Sequence, residues 1–141
     1  MADALRFLLL IFALVTWVPG AQAAPPKPIP FVMQMTVGDS DAQRRAFLQM
    51  AKVQEDIGPA KVKIEVVAYE GGITSLLADN NDTATLLAAL ARNGVQFKAC
   101  RISMLAHGLK EDDFPLEVEF VPAGAPEMVR LQMQGYRYWR P

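Results

Sequence analysis

Cys100 is the residue whose type and position most clearly suggest chemistry. It is the only cysteine in the chain, so no disulfide can form within the chain. It follows a short strand-like segment and precedes a helical one, and the N-terminus of a helix stabilises an anion such as a thiolate. Lys98 and Arg101 bring positive charge close to it. The position favours a nucleophilic thiolate; the alternative is a small buried hydrophobic residue.

His107 and Arg101 are the candidates for assisting that thiolate. His107 is the only histidine and lies seven residues after Cys100, within reach of the sulfur if the intervening helix is short. The alternative is a surface histidine that the helix dipole favours at a C-terminus. The chain has no second histidine, and no acid lies at a spacing that suggests a Cys-His-Asp triad. Nothing therefore supports a papain-like protease.

Two further patterns indicate weaker possibilities. Cys100 and several methionines, Met33, Met35 and Met104 among them, are soft ligands that select Cu(I), but no M-x-x-M or C-x-x-C spacing occurs. The segment 70–72, Glu-Gly-Gly, follows a predicted strand but fits neither common phosphate-loop motif. We therefore predict no metal and no cofactor, and keep copper binding as a minor alternative.

The elements that position these residues follow from hydrophobic periodicity. Apolar runs and alternations predict five strands, and stripes at helical spacing predict four helices between them. Strict alternation with short connections is typical of a parallel sheet with helices on both faces. The expected fold is α/β, a three-layer α/β/α sandwich around a five-stranded, mainly parallel sheet. The strands are expected near residues 31–37, 61–69, 95–99, 118–121 and 136–139.

The carboxyl ends of the predicted strands mark a candidate ligand pocket. Ligands of open α/β sheets bind beyond those ends. Small or acidic residues lie in turns there, next to Cys100, and segment 70–72 is expected to be a flexible loop. The predicted pocket residues are Asp39, Glu70, Gly71, Gly72 and Gly124.

The N-terminus has the pattern of an export signal. Arg6 precedes the uncharged run 7–18, Pro19-Gly20 interrupts it, and residues 21–23 read Ala-Gln-Ala. This is the layout of a secretory signal peptide cleaved after Ala23, and it predicts secretion across the inner membrane to the periplasm. A transmembrane helix needs about 20 apolar residues, so a retained membrane anchor is the lesser alternative. We predict a signal peptide at 1–23, a proline-rich leader at 24–30 and one domain at 31–141.

Composition excludes several classes of protein. The chain has 141 residues, 14 Lys and Arg against 15 Asp and Glu, and 52% hydrophobic residues. It is too apolar to be disordered, too short for two ordinary domains and not basic enough for a nucleic-acid binder. After cleavage we expect no stable membrane insertion.

Three blocks of sequence resemble the DsrE/DsrF-like family. Residues 58–69 with Gly72 and Ile73 resemble the second-strand block of that family. Residues 94–100 resemble its third-strand block, which ends in a cysteine. Residues 121–124, 130–132 and 135–138 resemble the C-terminal block of its exported branch.

The resemblance carries implications for fold, assembly and function. It implies one compact α/β/α domain with a five-stranded parallel sheet, and a homo-oligomer, often a trimer or hexamer. In the sulfur-relay members the cysteine that matches Cys100 carries a persulfide between a sulfur donor and an acceptor protein. The leading hypothesis is thus an exported persulfide carrier or sulfurtransferase-like protein. The main alternative is a non-catalytic small-ligand-binding or assembly module in which Cys100 is structural.

Overall fold

The computed structural model describes residues 23–141, in which strands and helices alternate. The predicted signal peptide falls almost entirely outside this part of the chain. Two short 3-10 helices, Glu70–Leu76 and Glu111–Asp113, interrupt the alternation. The strands are β1 (Ile29–Met35), β2 (Val62–Ala68), β3 (Gln96–Cys100), β4 (Val118–Val121) and β5 (Arg137–Trp139); the α-helices are α1 (Ser40–Ile57), α2 (Ala84–Arg92), α3 (Arg101–Ala106) and α4 (Gly124–Met133).

The five strands form one parallel sheet in the order β4-β3-β2-β1-β5. The predicted α/β fold with a five-stranded parallel sheet is confirmed. From β1 to β4 each step moves to the next strand in the same direction, and right-handed crossovers then place α1, α2 and α3 on one face. The return from β4 to β5 runs in the opposite direction, so α4 lies on the other face.

Two apolar clusters hold the layers together. The larger lies between the sheet and α1 and α2, where the rings of Phe47 and Phe97 stack with centroids 5.6 Å apart. The smaller lies beneath α4, where Met128 and Leu131 pack on Val32 and Val67. The much smaller second cluster means that α4 has few apolar contacts to hold it on the sheet.

The ends of α1 follow from local chemistry. Asp39 is the N-cap, and its carboxylate accepts a hydrogen bond from the backbone N–H of Ala42 at 2.8 Å, as expected of an N-cap aspartate. Gly58 ends the helix at φ 102°, a conformation that favours glycine. Its N–H donates to the carbonyl of Gln54 at 3.0 Å. The Asp39 side chain and the backbone freedom of Gly58 thus set the two ends of α1.

The segment 70–72 differs from its prediction. It begins the 3-10 helix Glu70–Leu76 and is not a flexible loop. Gly72 packs so tightly on β1 that a Cβ there would lie 2.1 Å from the carbonyl oxygen of Met35. These glycines therefore let two parts of the backbone approach each other, which a single-sequence pattern does not reveal.

The start of β1 also differs from its prediction. β1 begins at Ile29, so the last two residues of the predicted leader belong to the sheet. Helix α4 begins at Gly124, and Pro126 is its third residue. Proline is still accepted in the first turn because the N–H it lacks has no partner within the helix there.

A helix that crosses a lipid bilayer must be long and predominantly apolar. Within residues 23–141, none combines the length and apolar character that crossing a membrane requires.

Candidate functional site

The candidate site lies between the carboxyl ends of β3 and β4. The chain leaves β3 through α3 on one face of the sheet and leaves β4 through α4 on the opposite face. Neighbouring strands whose connections diverge in this way form a topological switch point, where open α/β sheets bind ligands. Cys100 ends β3, and Gly124 begins α4 directly after β4. The single cysteine of the sequence thus lies at the place that the topology favours for a site.

Cys100 lies where several hydrogen-bond donors converge. It is both the last residue of β3 and the N-cap of α3, and it is 3% exposed. Hydrogen-bond donation from the side-chain hydroxyl of Ser103 and from the backbone N–H groups of Ser103, Gly124 and Ile102 lowers the pKa of the thiol. Because α3 has only six residues, these individual donors account for the local field better than a helix macrodipole does.

These donors change the acidity of the thiol. Burial alone raises the pKa of Cys100, because it disfavours the charged thiolate. The hydrogen bonds from Ser103, Gly124 and Ile102 act in the opposite direction and outweigh burial, so that the pKa of Cys100 lies below its ordinary value. A lower pKa increases the thiolate fraction at neutral pH, and the thiolate is the nucleophilic form.

Ser103 connects Cys100 to the start of the 3-10 helix. Its hydroxyl oxygen accepts a hydrogen bond from the backbone N–H of Glu70 at 2.7 Å, which leaves the hydroxyl proton for the sulfur. Glu70 has φ 51°, the left-handed region that non-glycine residues seldom occupy. Backbone strain of this kind concentrates at functional sites. The backbone N–H of Glu70, a predicted pocket residue, thus connects to the candidate site through the hydroxyl of Ser103.

Gly124 approaches the sulfur because nothing projects from its Cα. A Cβ at this position would lie 2.7 Å from atoms of the Tyr69 side chain, closer than real contacts allow. The absence of a side chain lets the first turn of α4 settle against Tyr69 and direct the Gly124 N–H at Cys100. Gly124, one of the predicted pocket residues, thus lies beside Cys100.

Arg101 and His107 lie elsewhere. Arg101 forms an ion pair with Glu111 and lies over the ring of Phe120, its guanidinium carbon 5.3 Å from the centroid. His107 is the C-cap of α3, at the end of the helix opposite Cys100. Within residues 23–141, neither side chain forms a hydrogen bond or an ion pair with Cys100.

Asp39, Gly71 and Gly72 have local structural roles. Asp39 caps α1 after β1, and β1 is separated from β3 by β2. A Cβ on Gly71 would lie 3.0 Å from the Cα of Gly38, and the Cα of Gly72 faces the carbonyl of Met35. These residues share the carboxyl edge of the sheet with Cys100, but packing and capping account for their types.

The methionines of the copper hypothesis belong to the hydrophobic core. Met33, Met35 and Met104 lie in the apolar cluster beneath α1 and α2, of which Cys100 is not a member. Among the described residues, no three histidine, cysteine, aspartate or glutamate side chains are grouped so that they could hold a metal ion. Packing in the core accounts for these methionines.

A charged cluster, here called the ionic cluster, was missed from the sequence. It lies on the face of the sheet that carries α4 and joins β2, β3, α4 and the residue before β5. Charged residues alternate with apolar ones in both β2 and β3, and this alternation was the signal that could have revealed a polar face. The cluster consists of Lys63, Glu65, Lys98, Glu127, Arg130 and Tyr136.

Comparison with known proteins agrees with this architecture. Residues 30–140 match the DsrE/DsrF-like family. A protein of unknown function from Methanobacterium thermoautotrophicum has a similar solved structure, with a TM-score of 0.66 and 30% sequence identity. The similarity covers 82% of this chain and 100% of that one. No curated protein matches the chain.

Proposed function

The chain belongs to the DsrE/DsrF-like family, and from this premise we propose that it handles sulfur as a persulfide carrier, with Cys100 as the sulfur-bearing nucleophile. The observation that carries the proposal is the position of Cys100 at the N-cap of α3 and at the topological switch point, where hydrogen-bond donors lower the pKa of its thiol. Sulfur-relay members of the family use the matching cysteine in this way. The protein with the similar solved structure is itself of unknown function.

The proposed reaction conserves electrons in each step. The Cys100 thiolate attacks the terminal sulfur of a donor persulfide, a new S–S bond forms on Cys100, and the donor leaves as a thiolate. An acceptor thiolate then attacks the outer sulfur and takes it away, which restores the Cys100 thiolate. Neither step needs an external oxidant, reductant, metal or cofactor.

The surroundings of Cys100 suit the charges that this reaction creates. The thiolate and the persulfide are both anions, and N–H and O–H donors stabilise both of them. Because Cys100 is 3% exposed, the donor must reach it through a local opening of the 3-10 helix or of the first turn of α4. Transfer is therefore expected to be slower than the reaction of a free, exposed thiol.

The direct test is sulfur loading followed by intact-protein mass spectrometry. The folded protein is exposed to polysulfide, and the expected product carries one additional sulfur atom that a small-molecule thiol then accepts. The Cys100→Ser variant is the matched control and must remain unmodified. An unmodified wild-type protein, under conditions that load a known persulfide carrier, rejects the proposal.

One observation favours a second candidate function. The burial of Cys100 is typical of a structural cysteine in a binding or assembly module. Reaction with a thiol reagent distinguishes the two candidates: a structural cysteine reacts only after denaturation, whereas a carrier also reacts in the folded state.

We propose further that the protein is exported to the periplasm and assembles as a homo-oligomer, a trimer or hexamer. Export is supported by the apolar run 7–18 and the Ala-Gln-Ala sequence at 21–23. Assembly is supported by family membership alone. Cell fractionation with N-terminal sequencing tests export and cleavage after Ala23, and sedimentation equilibrium tests assembly; cytosolic protein or a monomer would contradict the respective proposal.

A further inference from the structure

The ionic cluster joins the same two elements that meet at Cys100. Lys98 on β3 has its Nζ 2.7 Å from Oε1 of Glu127 on α4 and 2.7 Å from Oε2 of Glu65 on β2. The side chains of Glu65 and Glu127 are 4% and 8% exposed, and that of Lys98 is 13% exposed. These charges are largely removed from water, so their mutual geometry is well defined compared with a surface ion pair.

The position of this cluster relative to Cys100 is specific. Lys98 lies two residues before Cys100 on β3, and alternate strand residues point to the same face of the sheet. Glu127 lies three residues after Gly124 on α4, about one helical turn away. β3 and α4 thus approach each other at two neighbouring places. At one, Lys98 pairs with Glu127. At the other, the backbone N–H of Gly124 acts on the thiol of Cys100.

We propose that the Lys98–Glu127 ion pair is a positioning device that holds the first turn of α4 against the sulfur of Cys100. The apolar contacts of α4 on the sheet come from Met128 and Leu131, which pack over β1 and β2. The ion pair supplies a fixed contact to β3, the strand that ends in Cys100. This inference rests on the proposed function, because it assigns Glu127 and Lys98 to the preparation of the same nucleophile.

The stability of the fold does not by itself explain such a cluster. A buried ion pair is often no more stabilising than apolar residues of similar volume, because removing charges from water costs about as much as the pairing returns. What it provides is direction: it specifies where α4 lies along β3. A hydrogen bond from the Gly124 N–H to the sulfur depends on that placement.

Two physical models predict opposite effects of one substitution. The elements around Cys100 carry Lys98 on β3, Glu127 on α4, Glu70 on the 3-10 helix and Arg101 on α3, the last paired with Glu111. If Glu127 acts only through its charge, Glu127→Gln removes a negative charge and lowers the pKa of Cys100. If Glu127 positions α4, the same substitution weakens the Gly124 hydrogen bond and raises that pKa.

The experiment is a titration of the Cys100 thiolate in the full folded chain, followed by its ultraviolet absorbance. We expect Glu127→Gln to raise the pKa and to lower the rate of sulfur loading at pH 7 by roughly threefold to tenfold, as for one weakened hydrogen bond. Glu127→Asp keeps the charge and shortens the side chain, so it should raise the pKa in the same direction. If Glu127→Gln fails to fold, the titration of Glu127→Asp decides between the two models.

Glu55→Gln is the matched control, because it makes the same chemical change in the exposed Lys52–Glu55 pair of α1 and should leave the titration unchanged. An unchanged or lowered pKa in folded Glu127→Gln, or an unchanged pKa in Glu127→Asp if only that variant folds, overturns the proposal. The absorbance titration needs no sulfur transfer. A protein that never loads sulfur but shows the raised pKa would therefore contradict the proposed function alone.

Discussion

The thiol of Cys100 is surrounded by neutral hydrogen-bond donors, and the two nearby cations are engaged elsewhere. Lys98 lies between two carboxylates, and Arg101 pairs with Glu111. Neutral donors stabilise the thiolate and the persulfide alike, which suits a residue that alternates between the two.

Ser103 is the side chain with the most direct effect on that thiol. Ser103→Ala removes a hydroxyl that hydrogen-bonds to the sulfur, so we expect the pKa of Cys100 to rise toward its ordinary value. A higher pKa leaves less thiolate at pH 7, and sulfur loading should slow several-fold. Thiolate absorbance against pH measures the first effect and mass spectrometry over time the second.

Ser75→Ala is the control for Ser103→Ala. Ser75 is also buried, and its hydroxyl donates to the carbonyl of Gly72 at 2.7 Å. Both variants should lose about 1 kcal/mol of unfolding free energy, but Ser75→Ala should leave the thiol titration unchanged. Equal titrations in wild type and Ser103→Ala would show that the hydroxyl does not stabilise the thiolate.

At the residue scale, the position of Cys100 at the end of a strand could be predicted, and the residues that surround it could not. Cys100 is unique in composition and lies at a strand-to-helix junction that hydrophobic periodicity reveals. Ser103 and Gly124 matter because folding brings them to the sulfur. Gly124 lies 24 residues from Cys100 in the sequence and is brought there by a strand pairing that local patterns do not encode.

The elements at the carboxyl edge of the sheet are fitted to one another by glycines. The 3-10 helix Glu70–Leu76 contacts β1 through Gly72, whose Cα faces the Met35 carbonyl, and this contact fixes where Glu70 and its N–H lie. The alternation of strands and helices was predictable because it depends on local periodicity and on stop signals such as Gly58-Pro59. The 3-10 helix was not predictable, because Gly72 packs against Met35 of β1, which lies more than thirty residues earlier in the sequence.

Gly72→Ala should be strongly destabilising. The new Cβ would lie 2.1 Å from the carbonyl oxygen of Met35, a backbone atom that cannot turn aside as a flexible side chain can. Overpacking of this kind costs about 1–3 kcal/mol and sometimes more, so we expect a loss of about 3 kcal/mol or greater. Urea denaturation measures it.

Gly38→Ala provides the comparison for Gly72→Ala. Gly38 lies at the same edge of the sheet, and its nearest neighbour to an added Cβ is the Cα of Gly71 at 3.6 Å, an ordinary contact. We expect a change within about 0.5 kcal/mol. Similar losses of unfolding free energy in the two variants would show that the close backbone contact with Met35 does not require glycine at position 72.

At the scale of the whole molecule, the sheet has two unlike faces. Within residues 23–141, three α-helices cover one face and α4 covers the other. Beneath α4 the ionic cluster lies beside the smaller apolar cluster. The α/β class was predictable from alternation, and helices do lie on both faces. The strand order was not predictable, because it is set by which strands pair across the molecule; that order decides where the switch point lies and leaves the second face to polar residues.

Glu65 couples this polar face to the pH dependence of folding. Burial raises its pKa, but hydrogen bonds from Lys63, Lys98 and Tyr136 outweigh burial, so the pKa lies below its ordinary value of 4.5. A carboxylate with a lowered pKa in the folded state stabilises the fold above the pKa of the unfolded state. That contribution is lost as pH falls through the folded-state pKa.

Glu65→Gln should therefore weaken the fold most at neutral pH. The substitution leaves Lys98 with one fewer counter-ion in a buried position, and breaking such a pair costs about 3–5 kcal/mol. As pH falls below about 4.5, toward the lowered folded-state pKa of Glu65, the wild-type protein loses this contribution progressively, so the two unfolding free energies should converge. Urea denaturation at neutral and acid pH measures the difference.

Glu55→Gln, in an exposed pair of α1, should differ from wild type by less than about 1 kcal/mol at neutral pH. A difference between Glu65→Gln and wild type that does not change with pH would show that the charge of Glu65 is not what holds this face together.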